Sequence, residues 1–320
     1  MFIHTWQFII DKFSASVPVI LLYVLQSKGS SPGRQGFSMT IAADNNICGS
    51  IGGGIMEYKF VEMAKNFLTL QSAAAAIYNQ EHDKEPGKNK SGMICSGEQT
   101  IFLYSVQQAD IDHIRYLLLS LQNNENGMLM LTNRGIRFSG DIPGKDFLFE
   151  QKTETDFLLI EKTGPKNRLI IIGGGHCALA LSKLMSSMDF YIQVYEERNG
   201  LNTMEQNSFA QEKIIVNSYA DLLHLIAPAQ NVYVVIMTVG YRTDDIALRA
   251  LMHKDFKYIG VLGSKNKMEN MLSVYRTEKI AESILIKIKT PAGIAIKSQT
   301  PQEIAVSIAA EIIALKNLFQ

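Results

Sequence analysis

Gly173-Gly174-Gly175-His176-Cys177-Ala178 follows the apolar run Leu169–Ile172 and opens a stretch with helical periodicity. Strand, GxGxxA turn and helix in that order is the arrangement that cradles the phosphates of a dinucleotide. Gly173 allows the tight turn, Gly175 lets a phosphate approach the backbone, and Ala178 lets the helix pack close to the sheet. The helix N-terminus, beginning at His176, adds free N–H groups and a partial positive charge. Glu196 and Glu197, with Arg198 beside them, lie about twenty residues on at the end of the next strand, where a ribose hydroxyl is read in such domains. The alternative is a glycine turn that serves only the packing of a Rossmann-like domain without a ligand.

Three more junctions fall on the same edge of that sheet: Glu196–Arg198, Thr238–Asp245 and Gly263–Lys267. Open parallel sheets bind ligands outside their strand C-termini. Ser264 reads as an N-cap, and Lys265 and Lys267 face either an anion or plain solvent.

The first half carries its own glycine corners. Gly29-Ser30-Ser31-Pro32-Gly33 matches the GxSxG pattern of a nucleophile elbow. It cannot serve as one, because the oxyanion hole needs the N–H of the residue after the serine and Pro32 has none. It reads instead as backbone wrapped around an anion with the help of Arg34, or as a plain turn. Gly52-Gly53-Gly54, ahead of Ile55-Met56-Glu57, opens a helix. Three glycines in a row cost chain entropy, which is worthwhile where a ligand or another backbone comes close; a bulge and helix cap is the other reading. Neither loop is a Walker P-loop. Cys95, at a loop edge among Gly92–Glu98, is either a thiolate for sulfur or a soft metal, or a small buried hydrophobe.

The elements that position these residues follow from the hydrophobic pattern. Helix is expected near 5–14, 55–70 and 110–122. Strands are expected near 19–27, 37–42, 47–51, 74–81, 99–106, 128–138 and 147–161, with a turn at Asp44-Asn45-Asn46 and a mobile polar loop at Asp83–Ser91. Breaker residues in Lys162–Asn167 mark a domain boundary. Beyond it, apolar runs without alternation at Leu169–Ile172, Val232–Met237 and Tyr258–Leu262 alternate with helical segments, as in a parallel sheet covered on both faces. Thr300, Pro301 and Glu303 spell the start of a final helix with a capping box. The fold class is α/β: a C-terminal Rossmann-like parallel-sheet domain plus an N-terminal mixed α+β domain.

Composition excludes several classes. The 320 residues suggest two domains at about 150 each. Thirty-one basic and 31 acidic residues give a formal net charge of zero, which is no platform for nucleic acid. Cys48, Cys95 and Cys177 are too few and too scattered for a disulfide framework, which fits a reducing cytoplasm. CxxC and HExxH are missing, so no structural zinc is expected. The apolar stretch Val17–Leu25 is far short of a membrane span, and no signal peptide is expected.

Taken together, Gly29–Arg34, Gly49–Glu57, Met93–Glu98, the GGGH turn with its Glu-Glu-Arg partner, Tyr258–Lys267 and Thr290–Leu315 resemble the XdhC/CoxI family of xanthine dehydrogenase accessory proteins. The stretches run in family order over nearly the whole chain. The resemblance implies a cofactor-binding domain at 1–164, a Rossmann-like domain at 165–320, and a chaperone of the molybdenum cofactor with no turnover of its own. Such proteins hold molybdopterin-bound molybdenum, work with a cysteine desulfurase that replaces an oxo ligand by sulfur, and deliver the cofactor to an apo molybdenum hydroxylase of the xanthine dehydrogenase type. A homodimer is expected. The implied cofactor-binding residues are Ser30, Ser31, Arg34, Gly52, Gly53, Gly54, Glu57 and Cys95 in the first domain. In the second they are Gly173, Gly175, His176, Glu196, Glu197, Arg198, Asp244, Ser264 and Lys265. Cys95 is the residue expected to touch molybdenum. The chain departs from the family at Cys95-Ser96-Gly97, at Thr238-Val239-Gly240-Tyr241 where histidines are usual, and at Cys177-Ala178. A second reading, an NAD(P)-dependent oxidoreductase, rests on GxGxxA and Glu196, and a third is a purely structural interaction protein.

Overall fold

In the computed structural model, which describes residues 2–70, 74–82, 97–153, 155–188 and 190–318, the chain divides into two compact units, Met1–Gly164 and Pro165–Gln320. The first contains α1 (Phe2–Ser14), β1 (Val19–Gly29), β2 (Ser38–Ala42), β3 (Ile47–Gly49), α2 (Gly54–Thr69), β4 (Ala75–His82) and β5 (Gly97–Ser105). It continues with α3 (Ile111–Gln122), β6 (Gly127–Thr132), β7 (Gly135–Ser139), β8 (Phe147–Gln151) and β9 (Phe157–Thr163). Two antiparallel sheets result, ordered β3-β2-β1-β5-β4 and β7-β6-β9-β8.

Strand β1 is apolar without alternation because both of its faces are covered. Leu21, Tyr23 and Leu25 join the core shared with α1 and α3, whereas Ile20, Leu22 and Val24 pack with Met56, Phe60 and Ala64 of α2. The expected strand at 128–138 is a hairpin that turns at Asn133-Arg134, and the stretch 147–161 likewise divides into β8 and β9. The polar loop expected at Asp83–Ser91 lies outside the described residues.

The second unit contains β10 (Asn167–Ile172), α4 (His176–Met185), β11 (Phe190–Glu196), α5 (Asn202–Glu205), β12 (Glu212–Ile215), α6 (Leu222–Leu225) and β13 (Ala229–Ile236). It ends with α7 (Tyr241–Leu251), β14 (Phe256–Val261), α8 (Lys265–Thr277), α9 (Glu282–Leu285), β15 (Ile288–Lys289) and α10 (Pro301–Asn317). Its six strands are ordered β12-β11-β10-β13-β14-β15 and every pair is parallel. This is the Rossmann order, with the direction of winding reversed between β10 and β13. The crevice at such a switch point is where ligands bind.

The absence of alternation in β10 has the same cause as in β1. Ile170 and Ile172 face one apolar cluster with Val234 and Ile236, and Leu169 and Ile171 face another with Leu181, Ile308 and Ile312. Helix α10 therefore backs α4, the helix that leaves the glycine turn. Its start is fixed as the sequence predicts: Thr300 Oγ1 accepts from Glu303 N at 3.2 Å, and Glu303 accepts from Thr300 N at 3.1 Å. No helix among the described residues is long and apolar enough to cross a membrane.

Thr300→Ala is predicted to lower the stability of the C-terminal unit by about 1 kcal/mol, the usual cost of losing a cap. Calorimetric unfolding of the full chain checks it.

Candidate functional site

In the N-terminal unit three segments interlock: Gly29–Arg34, Ser50–Gly54 and Gly97–Gln99. They are pressed so close that side chains would not fit between them. A Cβ on Gly52 would lie 2.5 Å from Gly33 N, and one on Gly97 would lie 2.6 Å from Ser31 N. Gln99, 1% exposed, ties them together by donating to the carbonyls of Gly33 at 2.8 Å and Ile51 at 3.2 Å. Ser31 is buried and donates to the Gly33 carbonyl at 2.8 Å. Ser30 and Arg34 are exposed on the same loop, and Arg34 reaches back to the Gly29 carbonyl.

Glu57, in the first turn of α2, accepts from Ser50 Oγ at 2.6 Å, Ile51 N at 2.9 Å and Gly53 N at 3.0 Å. Its carboxylate thus holds the glycine loop from below. Gly53 is different from Gly52. It has φ +79°, but a Cβ there would meet nothing within 4 Å. Cys95, the expected soft-metal contact, lies outside the described residues.

In the C-terminal unit the turn after β10 lies against the strand on the far side of the switch point. A Cβ on Gly173 would be 2.5 Å from the Met237 carbonyl and 2.9 Å from Thr238 Cα. Beneath the turn lies Glu196, 1% exposed at the end of β11. It accepts from Gly174 N at 2.7 Å, from Glu197 N and Arg198 N, from the Arg198 guanidinium at 2.9 and 2.8 Å, and from the Tyr219 hydroxyl at 3.2 Å. Burial alone would raise its pKa, yet the Arg198 guanidinium and the backbone N–H groups of Gly174 and Arg198 win and bring it down to about 2. Glu197 accepts from Tyr219 N at 2.6 Å and thereby fixes the next loop.

Across Gly173, buried Asp244 accepts from Thr238 N and Thr238 Oγ1 at 3.0 and 2.6 Å and pairs with Lys267 Nζ at 2.5 Å. Of the two lysines on α8, Lys267 therefore turns inward, whereas Lys265 is solvated beside Glu269 at 3.8 Å. Ser264 caps α8 through Lys267 N. His176 is exposed at the first position of α4.

Two glycines on this edge have no internal reason to be glycine. Gly175 caps α4 with φ −74°, and Gly240 caps α7 with an extended backbone at φ −176°. A Cβ on either would meet nothing within 4 Å. Serine or aspartate would cap both helices better. Bare backbone at these two positions leaves room on the switch-point edge.

Among the described residues no group of histidine, cysteine and carboxylate side chains could hold a metal ion. Burial pushes the Cys48 and Cys177 thiols up, away from the thiolate form.

The model of the XdhC and CoxI family matches residues 13–78, and that of the XdhC Rossmann domain matches residues 169–312. The chain belongs to the XdhC and CoxI family. Its XdhC Rossmann domain is the unit that carries the Gly173–Gly175 turn. YqeB of Escherichia coli K12, described as uncharacterized, is 24% identical over 301 residues, 94% of this chain but 44% of its own length. The chain thus spans less than half of that relative. A Bacillus subtilis protein, named as a probable xanthine dehydrogenase subunit, is 23% identical over 314 residues, 92% of each chain. A Bacillus halodurans protein solved under the name xanthine dehydrogenase superposes with a TM-score of 0.71 at 23% identity, covering 99% of this chain and 97% of its own. That likeness is one of fold.

The geometry makes two predictions. Gly52→Ala should destabilise the N-terminal unit by about 3 kcal/mol or more, since the added carbon strikes backbone that cannot move away, whereas Gly53→Ala should cost about 2 kcal/mol, for a backbone at φ +79° and ψ −174° that only glycine adopts freely. The chain's only tryptophan, Trp6, is buried in that unit and reports its urea transition by fluorescence. Glu196 is held below its unfolded-state pKa, so its contribution is present above about pH 4.5 and is lost as the pH falls towards 2. The C-terminal unit should lose about 3 kcal/mol over that window. The Glu196→Gln variant should be less stable at neutral pH and should lack this part of the acid dependence; parallel acid profiles would contradict it.

Proposed function

We propose that this protein binds molybdopterin-type cofactor and delivers it to an apo molybdenum hydroxylase of the xanthine dehydrogenase kind, without catalysing a reaction itself. Membership of the XdhC and CoxI family supports the reading, as does the name of the Bacillus subtilis relative, which matches over nearly the full length of both chains. The observation that carries it in this chain is the pair of open N-cap glycines, Gly175 and Gly240, on the switch-point edge.

Molybdopterin ends in a phosphate, and its dithiolene presents molybdenum to an incoming sulfur or protein ligand. The amides at the start of α4 and the unhindered side of Gly175 suit that phosphate. Exposed His176 adds a donor at the same turn. Cys95, Ser30 and Arg34 belong to the N-terminal unit and form a separate candidate contact set, in which Cys95 is the soft thiolate. A cysteine desulfurase supplies the sulfur, the protein works in the cytoplasm, and it does so as a homodimer.

Protein purified from a host that makes the cofactor should release a fluorescent oxidised pterin on acid iodine treatment. Gly175→Asp tests the site itself. Aspartate is a good N-cap, so stability should hold or rise, while its charge competes with the phosphate and pterin content should fall about tenfold, or about 1.4 kcal/mol. Pterin-free wild-type protein that takes up no cofactor, or a Gly175→Asp variant that keeps its full load, would contradict the proposal.

A further inference from the structure

Rossmann domains that bind NAD present the acid at the end of their second strand to the ribose hydroxyls. Glu196 occupies that position at the end of β11. A carboxylate offers about four lone-pair sites. Those of Glu196 already meet six donors: Gly174 N and Arg198 Nη2 on Oε2, and Glu197 N, Arg198 N, Arg198 Nε and Tyr219 OH on Oε1. All six come from the protein, and the side chain is 1% exposed. Its neighbour Glu197 is engaged as well, through Tyr219 N.

The turn above it is closed from the other side too. A Cβ on Gly174 would lie within 2.6 Å of the Met204 sulfur, and the Gly174 carbonyl accepts from Thr203 Oγ1 at 2.5 Å. For a ribose diol to reach Glu196, the Arg198 guanidinium would have to leave and the Gly174 N–H would lose its acceptor. The first step strips a buried carboxylate of its counter-charge, and the second undoes the turn that places Gly175.

We infer that Glu196 is a positioning residue, which locks the Gly173–Gly175 turn from inside and reads no ribose hydroxyl. The C-terminal unit thereby keeps the backbone of a dinucleotide-binding domain and gives up its selection for NAD. This holds whichever phosphorylated guest the protein carries, so its failure and that of the molybdopterin reading are separate.

The experiment uses the full chain with selectively 15N-labelled glycine. In the wild type the Gly174 amide should resonate downfield and resist exchange with solvent, as a short charge-assisted hydrogen bond requires. Glu196→Gln, which keeps the side-chain shape, should move that resonance upfield, while the Gly53 amide stays in place. ADP and 2′,3′-dideoxy-ADP, which differ only in the ribose hydroxyls, are then titrated into the wild type by calorimetry. Either no saturation by ADP at about 1 mM, or affinities for the two less than tenfold apart, is expected. Two results would overturn the inference: a Gly174 amide that exchanges freely in the wild type, or saturable ADP binding that loss of the ribose hydroxyls weakens tenfold or more. Should the variant fail to fold, the wild-type exchange rate of Gly174 decides by itself.

Discussion

A carboxylate sealed beneath a glycine turn must find its hydrogen-bond partners within the protein, and the turn after β10 and the loops after β11 and β12 are set by how Glu196 finds them. Its bond to Gly174 N fixes the turn, and the turn fixes where α4 begins. Its ion pair with Arg198 and its contact with Tyr219 bind the loops after β11 and β12 to the same point. A buried charge left with a single partner would be costly, but one with a counter-ion and backbone donors is held firmly. Asp244, in the first turn of α7 after β13, repeats the device, gathering Thr238 and Lys267 into one network on the far side of Gly173.

The N-terminal unit meets a similar demand with neutral chemistry. Its glycine corners pack backbone against backbone, which leaves carbonyls that water cannot reach. Gln99 satisfies two of them, and Glu57 collects the donors of the loop that precedes α2. In both units the acids that a sequence motif offers to a ligand are turned inward to hold a loop. What remains open in the N-terminal unit is the space beside Gly53, whose N–H is held by Glu57; in the C-terminal unit it is the bare backbone at Gly175 and Gly240.

Much of this architecture can be read from the sequence. Unalternating runs such as Leu169–Ile172 report strands covered on both faces, and Thr300 with Glu303 reports the start of α10, because burial on both faces and local capping are written in neighbouring residues. The turn at Asn133-Arg134 is masked by the apolar residues on either side of it. Gln99 carries no signal, since a glutamine in a polar stretch of strand looks solvated until two distant loops close over it. The spacing of Glu196 from the glycines is legible, but its direction is not. Gly174 becomes its partner only once β11 lies beside β10, and Tyr219 only once β12 lies beside β11, and a motif defined by spacing has the same form whether its acid points outward or inward. The choice between Lys265 and Lys267 is hidden for the same reason, because Asp244 comes from another strand-to-helix junction.

Native mass spectrometry of the full chain, isolated gently from cells that make the molybdenum cofactor, would weigh the cargo itself. A species heavier than the polypeptide by the mass of a phosphorylated pterin, lost on mild collisional activation, is expected. A spectrum showing only the bare polypeptide mass, or an adduct with the mass of NAD, would contradict the molybdopterin reading.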